Sequence, residues 1–288
     1  MRISYLALSA GTLLGTAYPL IVWSLESFSA FEIALGRAAI ATVFIVAVSR
    51  KEVNRIIISR NQFGSVMGLS LIGVSIFWIL LNFGTEFSSP NQTSFLVSTY
   101  PLLSSLLAKP LLKENLSKMK IMGIILGFAG AALIFSEGKL TTVFTTDDTL
   151  GKAAAIGASL SWSFYMLLSR RLISSKRVRP DYLAFNSVLL ALPILFTMSF
   201  LFPQAGNRDV TFNSIFGLIW LGIVVSAIGF LLVNKAVQNV NMSTVSSHLM
   251  IFPVITVLTS YLLLGEIPIV MELIGGALVL LGVAVARL

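Results

Sequence analysis

The chain has 288 residues, of which 56% are hydrophobic and 11% charged, and its mean hydropathy is +0.92. Because soluble domains carry about 25% charged residues, this chain has too little charge to cover a surface in contact with water. The net charge of +8 does not indicate nucleic-acid binding until its location is known. A chain with no cysteine and one histidine predicts no disulfide and no metal site, and no cofactor is expected.

Ten apolar stretches follow one another along the chain, separated by short polar breaks. A helix of about 20 apolar residues crosses a bilayer, and backbone polar groups in lipid must be paired within the element. The sequence therefore predicts an all-α polytopic membrane protein with ten transmembrane helices. They run over Ile3–Trp23, Ala30–Val48, Phe63–Phe83, Thr93–Leu112, Met119–Phe135, Leu150–Leu168, Tyr182–Phe202, Phe212–Asn234, Ser243–Leu264 and Ile267–Ala286.

The charged residues predict the orientation of these spans. Of the 20 Lys and Arg residues, sixteen fall at one end of the predicted bundle, and nine of the 12 acidic residues fall at the other. Cytoplasmic breaks are enriched in Lys and Arg. The sequence therefore predicts that both termini and the Arg170–Arg179 break are cytoplasmic, and that the Asp147–Asp148 break is outside.

A pattern within the fourth and fifth spans recurs 152 residues later. Pro101 precedes Glu114 by 13 residues, as Pro253 precedes Glu266. Glycines follow at matching distances: Gly123 and Gly130 in the first copy, Gly275 and Gly282 in the second. Because each half has five spans, the second half enters the membrane with the opposite polarity. Inverted repeats of this kind build secondary transporters, whose substrate site lies between the halves.

The sequence resembles the drug/metabolite transporter superfamily, in its ten-helix form with two EamA-type domains. The resemblance covers nearly the whole chain and rests on the repeated Pro–x12–Glu–x8–Gly–x6–Gly pattern. It also rests on "ALGRAAIA" around Arg37 and on "GASLSWSFYMLLSRRL" around Trp162. It implies an EamA-type repeat in residues 1–140 and another in 148–288, packed around a central cavity.

Polar and ionisable residues within the spans are the first candidates for contact with substrate. Arg37 is a charge deep in a span, where it must face the bundle interior or water; it either binds substrate or braces helices, and Asn186 is its counterpart in the second half. His248 is the one side chain with an unperturbed pKa near neutrality. It either takes part in proton coupling or donates between helices.

The other candidates are aromatic residues with polar atoms, and prolines. Trp78, Tyr100, Trp162 and Tyr165 lie at or near the middle of their spans. Trp78 and Trp162 lie deeper than the interface, where contact with lipid would leave their N–H groups unpaired, so a cavity wall is the predicted location. Pro101 and Pro253 are matched midspan prolines, each of which frees a carbonyl one turn back and bends its helix. They are either hinges or packing kinks.

The predicted function is a secondary transporter, an exporter of a small metabolite such as an amino acid, in the cell membrane. The resemblance leaves open a multidrug or purine-type permease, and the class alternative is a membrane enzyme acting on lipid. No phosphate-binding loop or hydrolase motif occurs, so neither ATP use nor catalysis is predicted. Expected partners are the substrate, the bilayer and, for an antiporter, protons. A monomer is favoured over a dimer, and no nucleic acid is expected.

Overall fold

The computed structural model describes residues 2–48, 62–112, 116–137, 148–175, 177–203, 209–239 and 242–286. All regular secondary structure within these ranges is helical. The helices are α1 Arg2–Gly15, α2 Ala17–Leu25, α3 Ala30–Val48, α4 Phe63–Ser70, α5 Phe77–Phe87, α6 Pro90–Val97, α7 Tyr100–Leu112, α8 Lys118–Ser136, α9 Asp148–Ser174, α10 Pro180–Leu201, α11 Phe212–Trp220, α12 Phe230–Asn239, α13 Met242–Leu249, α14 Phe252–Leu264 and α15 Val270–Val285. Two π-helical segments, Leu71–Ile76 and Leu221–Gly229, join α4 to α5 and α11 to α12.

Six helices of the described ranges are long and apolar enough to cross a membrane. They are Tyr5–Leu25, Ala30–Val48, Phe63–Phe87, Lys118–Ser136, Pro180–Leu201 and Phe212–Gln238. They correspond to six of the ten predicted spans, and large apolar side chains such as Ile125 and Leu262 are exposed on the outer surface of the bundle. This is the architecture of a polytopic membrane protein. The count of ten spans and the location of the termini remain predictions.

The matched prolines lie at matched breaks between helices. Pro101 is the second residue of α7, which follows a two-residue turn after α6, and Pro253 is the second residue of α14, which follows the same kind of turn after α13. Proline is tolerated in the first turn of a helix, where its missing N–H would be unpaired in any case. Each proline therefore begins a new helix after an interruption of the span.

The two π-helical segments are also related by the 152-residue repeat. Shifting Leu71–Ile76 by 152 residues falls within Leu221–Gly229. In the first segment Phe77 donates its backbone N–H to the carbonyl of Ile72, five residues back, and Phe230 does so to Val225 in the second. Such bonds widen a helix locally, and π segments occur most often at functional sites.

Helices α8 and α15 cross at their glycines in an antiparallel pair. A Cβ on Gly123 would lie 2.4 Å from the carbonyl oxygen of Gly282, and one on Gly130 would lie 2.5 Å from that of Gly275. The backbones touch only because these side chains are absent. The small-residue faces of both helices are thus buried against each other within one chain.

Two predicted features fall on positions that are not described. Glu114, which closes the first copy of the repeated pattern, and Asp147 of the acidic break both lie outside the described residues. Residue 140, the predicted end of the first repeat, lies outside them as well. The repeat boundaries therefore remain predictions.

Candidate functional site

A small cavity of about 30 Å³ lies among helices of both halves. Helices of the first half supply most of its wall, and α9, α12, α14 and the second π segment supply the rest. Arg37 is the one charged residue among those that line it. The aromatic residues of the wall are Tyr18, Phe77, Trp78, Tyr100, Trp162, Phe230 and Phe252.

Arg37 is buried in this wall, with 1% of its surface exposed. Its Nε donates a hydrogen bond to Ser226 Oγ at 2.8 Å, and its Cζ lies 4.3 Å from the centroid of the Trp78 ring. Its Nη1 has no hydrogen-bond partner among the described residues. The ion pairs of those residues join Lys152 to Glu137 and Asp148, and Arg179 to Asp181, so none of them neutralises Arg37.

Small residues bring the partners of Arg37 within reach. Ala34, Ala38 and Ala41 of α3 are fully buried, so α3 lies close to its neighbours along the face that carries Arg37. A Cβ on Gly222 would lie 2.5 Å from Ile40 Cγ2. The second π segment therefore approaches α3 closely enough for Ser226 to accept the Arg37 hydrogen bond.

Trp162 belongs to a stack of rings that joins the two halves. Its ring centroid lies 4.7 Å from Phe77 and 5.2 Å from Tyr165, with interplanar angles of 27° and 16°. Phe230 packs against it in a tilted arrangement at 5.4 Å. Offset stacks of this kind add about 0.5–1.5 kcal/mol for each pair beyond the burial of area. Trp162 therefore lines the cavity and also holds the wall together.

Each of three aromatic–proline pairs places its aromatic ring in the wall. They are Tyr18–Pro19, Tyr100–Pro101 and Phe252–Pro253. The Tyr18 and Phe252 rings are stacked at 6.0 Å and 7°, and the Tyr100 hydroxyl donates to the Ser246 carbonyl at 3.5 Å. The breaks in the spans thus lie beside the cavity.

Each of the two repeated prolines leaves one carbonyl group without a donor from its own helix, and a different helix packs against that carbonyl. Pro101 cannot donate to the carbonyl of Val97, and Ser159 Oγ of α9 donates to it instead at 3.2 Å. Pro253 likewise frees the carbonyl of Leu249, and a Cβ on Gly11 would lie 2.9 Å from that oxygen. The first helix of each half therefore packs directly on the break in the other half.

The remaining sequence candidates lie outside the cavity lining. The Tyr165 hydroxyl forms hydrogen bonds with Asn234 behind the wall, at 3.1 Å to Oδ1 and 2.9 Å to Nδ2. Asn186 is buried in α10 and donates to the Tyr182 carbonyl at 2.8 Å. His248 is half-buried in the last turn of α13. The structure thus brings together Arg37, Trp78, Tyr100 and Trp162.

Sequence reasoning missed Tyr18 and Ser226. Tyr18 could have been found from the aromatic–proline pair, which recurs at Tyr100 and Phe252. Ser226 carries no such signal, because a single serine in an apolar run is common where helices pack closely.

A larger cavity of about 510 Å³ lies elsewhere, between α2, α11 and α14. Its lining includes Trp23, Phe216 and Trp220, whose Nε1–H donates to Thr16 Oγ1 at 3.0 Å. None of its described lining residues is charged. Of these two cavities, the smaller one has a charged residue, Arg37, among its described lining residues.

The fold is helical and contains apolar helices long enough to cross a membrane, and Arg37 is buried between its two halves. These features define a multi-pass membrane protein built like a transporter. A family model described as "EamA-like transporter family" matches residues 1–136 and 149–288. This chain belongs to that family, and it shares the family's transport role.

Relatives cover most of the chain at low identity. A Bacillus subtilis protein named "Uncharacterized transporter YyaM" is 23% identical over 94% of this chain and 89% of its own length. A protein of Streptantibioticus cattleyicolor named "Probable terminal-alkyne amino-acid exporter" is 26% identical over 93% of this chain and 87% of its own. A crystal structure with 20% identical residues superposes at a TM-score of 0.71, covering 100% of this chain and 99% of that one. That likeness concerns the fold alone.

Proposed function

We propose that this protein is a secondary transporter, an exporter in the cell membrane, that moves a small carboxylate-bearing metabolite such as an amino acid by alternating access. The observation that carries this proposal is the Arg37 guanidinium, which is buried beside a cavity between the two halves with Nη1 unpaired. Neither catalysis nor a cofactor is part of the proposal.

A carboxylate is the ligand that best completes the surroundings of Arg37. Burying a charge without a counter-ion is costly, and no described carboxylate pairs with this one. A planar guanidinium binds a carboxylate through two parallel hydrogen bonds, which are stronger than bonds between neutral groups. The substrate carboxylate would supply the missing acceptor and the missing negative charge together.

The size of the cavity supports alternating access. Ligand pockets usually enclose about 300–1,000 Å³, whereas this cavity has about 30 Å³. A substrate therefore fits only after the surrounding helices move apart. Because helices of both halves form the wall, movement of one half against the other would enlarge it.

An amino acid and the export direction are supported by the name of the Streptantibioticus relative. The second candidate is a permease for planar, purine-like or drug-like solutes. The aromatic wall favours it, because such rings stack on flat ligands.

Transport into proteoliposomes tests both candidates. A radiolabelled panel should contain amino acids, the corresponding carboxylic acids without the amine, amines without the carboxylate, and purines, each with and without a pH gradient. Uptake limited to compounds with a carboxylate would support the proposal. Uptake of amines or purines alone would contradict it and favour the second candidate.

The matched prolines provide a test of the conformational cycle. We expect Pro101→Ala and Pro253→Ala to slow transport more than they weaken substrate binding, because each would extend a helix across a break beside the cavity. Pro110→Ala is the matched control, since Pro110 lies within α7 and is exposed. Wild-type rates for both midspan variants, with a slow Pro110→Ala protein, would show that the repeated prolines do not act as hinges.

A further inference from the structure

A polar cluster joins the two halves at the end of the bundle where the acidic residues collect, which the sequence predicts to be outside. Gln92 Nε2, at the start of α6, donates to Glu137 Oε1 at 3.0 Å, just after α8. Lys152 of α9 donates to the same oxygen at 2.7 Å and also pairs with Asp148. The other members are Asn91, Glu266 and Glu272.

The charges in this cluster are unevenly matched. Lys152 pairs with both Glu137 and Asp148, whereas no described Lys or Arg lies within 4 Å of Glu266 or Glu272. Glu272 is 4% exposed and accepts the Ile269 N–H at 3.2 Å, and Glu266 is half-buried before α15. The carboxylates of the cluster, which are those of Glu137, Asp148, Glu266 and Glu272, therefore outnumber its one described cation.

The side-chain oxygen of Asn91 is a buried acceptor that lacks a hydrogen-bond donor within the described part of the chain. The residue is fully buried, and its Nδ2 donates to Glu266 Oε1 at 3.0 Å, but its Oδ1 has no partner among the described residues. A buried acceptor without a donor costs about 1–3 kcal/mol. A protonated carboxyl can pair with a primary amide through two hydrogen bonds, since its O–H donates to the amide oxygen while its carbonyl accepts from the amide nitrogen.

We propose that Glu266 and Asn91 form a proton-binding site that holds the two halves together at this end of the molecule. The proton binds to the Glu266 carboxylate, which becomes neutral, and the new O–H donates to Asn91 Oδ1. If the Asn91 amide were turned so that Oδ1 and Nδ2 exchanged places, Oδ1 would lie 3.0 Å from Glu266 Oε1. Both atoms are acceptors, so a proton on Glu266 would be needed in that orientation as well. Asn91 belongs to the first half and Glu266 to the second, so the bonds cross between them.

The expected response to pH follows from linkage. Burial raises the pKa of Glu266, although hydrogen bonds from Ser89 and Asn91 oppose the rise. When this end opens to water the carboxyl returns toward its ordinary pKa, so the closed arrangement binds the proton more tightly. Lower pH therefore favours the closed arrangement, between the ordinary pKa of Glu266 and its raised value.

The described groups around Glu266 come from several elements of both halves. Ser89 and Asn91 come from the start of α6, Glu272 from α15 and Glu137 from the end of α8, while Lys152 and Asp148 lie beyond them on α9. Ionised Glu272 and ionised Glu266 repel each other, and protonation of Glu266 removes that repulsion. The proposal adds to the alternating access proposed above, but neither test below needs a substrate.

Infrared difference spectroscopy of the purified protein tests the proton itself. We expect a carboxylic-acid C=O band that titrates above the ordinary pKa of 4.5 and disappears in Glu266→Gln. The matched control is Glu32→Gln. Glu32 is predicted to lie at the same end, and within the part of the chain that the structure describes its carboxylate accepts from Ser29 N–H, at the start of its own helix, at 2.8 Å. Persistence of the band in Glu266→Gln, or its loss in Glu272→Gln instead, would overturn the assignment.

Cysteine labelling tests the closure. The chain has no cysteine, so Ala17→Cys places a single thiol on the cavity wall. The rate at which an impermeant thiosulfonate, added outside, labels Ala17→Cys is divided by the rate at which it labels Val210→Cys, an exposed position. This ratio removes the effect of pH on the reactivity of the thiol. A pKa difference of about one unit between the two arrangements lowers this ratio by up to about tenfold as pH falls.

The glutamine variant mimics the protonated carboxyl. In Glu266→Gln the side-chain amide can both donate to Asn91 Oδ1 and accept from Asn91 Nδ2, so labelling of Ala17→Cys should be slow at every pH. Asn91→Leu removes both bonds and should give fast labelling at every pH. A wild-type ratio that does not change with pH, or equal ratios in wild type and Glu266→Gln, would overturn the proposal.

Discussion

Lys152 and Arg37 are both buried cations, yet their surroundings differ completely. Lys152 is 4% exposed and lies between two carboxylates. Arg37 is 1% exposed and has a serine hydroxyl, an aromatic face and an unpaired nitrogen. A cation whose counter-ions come from the protein stabilises the fold. A cation without them is either a defect or a place for an anionic ligand, and its location beside a cavity favours the second.

The largest effect should come from neutralising Arg37. We expect Arg37→Gln to weaken substrate binding by about 2–5 kcal/mol, because the substrate carboxylate would lose a buried, hydrogen-bonded charge partner. Arg37→Lys should recover part of this, since it keeps the charge but lacks the planar fork. Substrate affinity and thermal stability should be measured on the same preparations. A large loss of stability at unchanged affinity would make Arg37 a brace between helices.

Lys152 should show the opposite pattern. Lys152→Met leaves two carboxylates without their cation, at a cost in stability of about 1–3 kcal/mol, which is less than for fully buried pairs because water reaches the carboxylates. Substrate affinity should not change. A loss of substrate affinity in Lys152→Met as large as that in Arg37→Gln would contradict the view that Lys152 stabilises the fold while Arg37 binds substrate.

The pH dependence of stability sharpens the same contrast. The Lys152 hydrogen bond lowers the pKa of Glu137 below its ordinary value of 4.5, so the stability it provides is present above that pH and is lost as pH falls through the lower value. Burial raises the pKa of Asp148, so that carboxyl takes up its proton first. The gap in melting temperature between wild type and Lys152→Met should therefore shrink on acidification, whereas an unchanged gap would contradict the assigned pairing.

The smallest effect should come from the ring beneath Arg37. Trp78→Phe keeps an aromatic face but weakens the cation–π contact, which is worth about 0.5–2 kcal/mol. We expect a small loss of affinity or stability, read most clearly by combining Trp78→Phe with Arg37→Lys. Strictly additive effects of the two substitutions would show that the contact at 4.3 Å contributes nothing of its own.

Residue chemistry predicted part of the site from the sequence, because some side chains have few acceptable places in a membrane protein. A deep arginine must face inward, and Trp78, Tyr100 and Trp162 have polar atoms that lipid cannot pair. Composition and apolar length likewise predicted the helical membrane fold. In these cases the free-energy cost of placing a single residue or stretch in the wrong surroundings is large enough to predict its location.

Features that depend on two distant segments could not be predicted in this way. Tyr165 has the same chemistry as Tyr100, but the approach of Gly73 and Asn234 places it behind the wall. Glu266 was recognised only as the glutamate of the second copy of the repeated pattern, because its pairing with Asn91 joins residues 175 positions apart. The prolines predicted a bend, whereas each span is interrupted and begins again at the proline.

The contacts between α8 and α15 have a consequence for the origin of the chain. Gly123 touches Gly282 and Gly130 touches Gly275, whereas the repeat equates Gly123 with Gly275 and Gly130 with Gly282. A single copy of the unit therefore carries both partners of every such contact. Two unlinked copies, inserted in opposite directions, could form the same interface as a symmetric pair, and fusing their genes would need no new residue there.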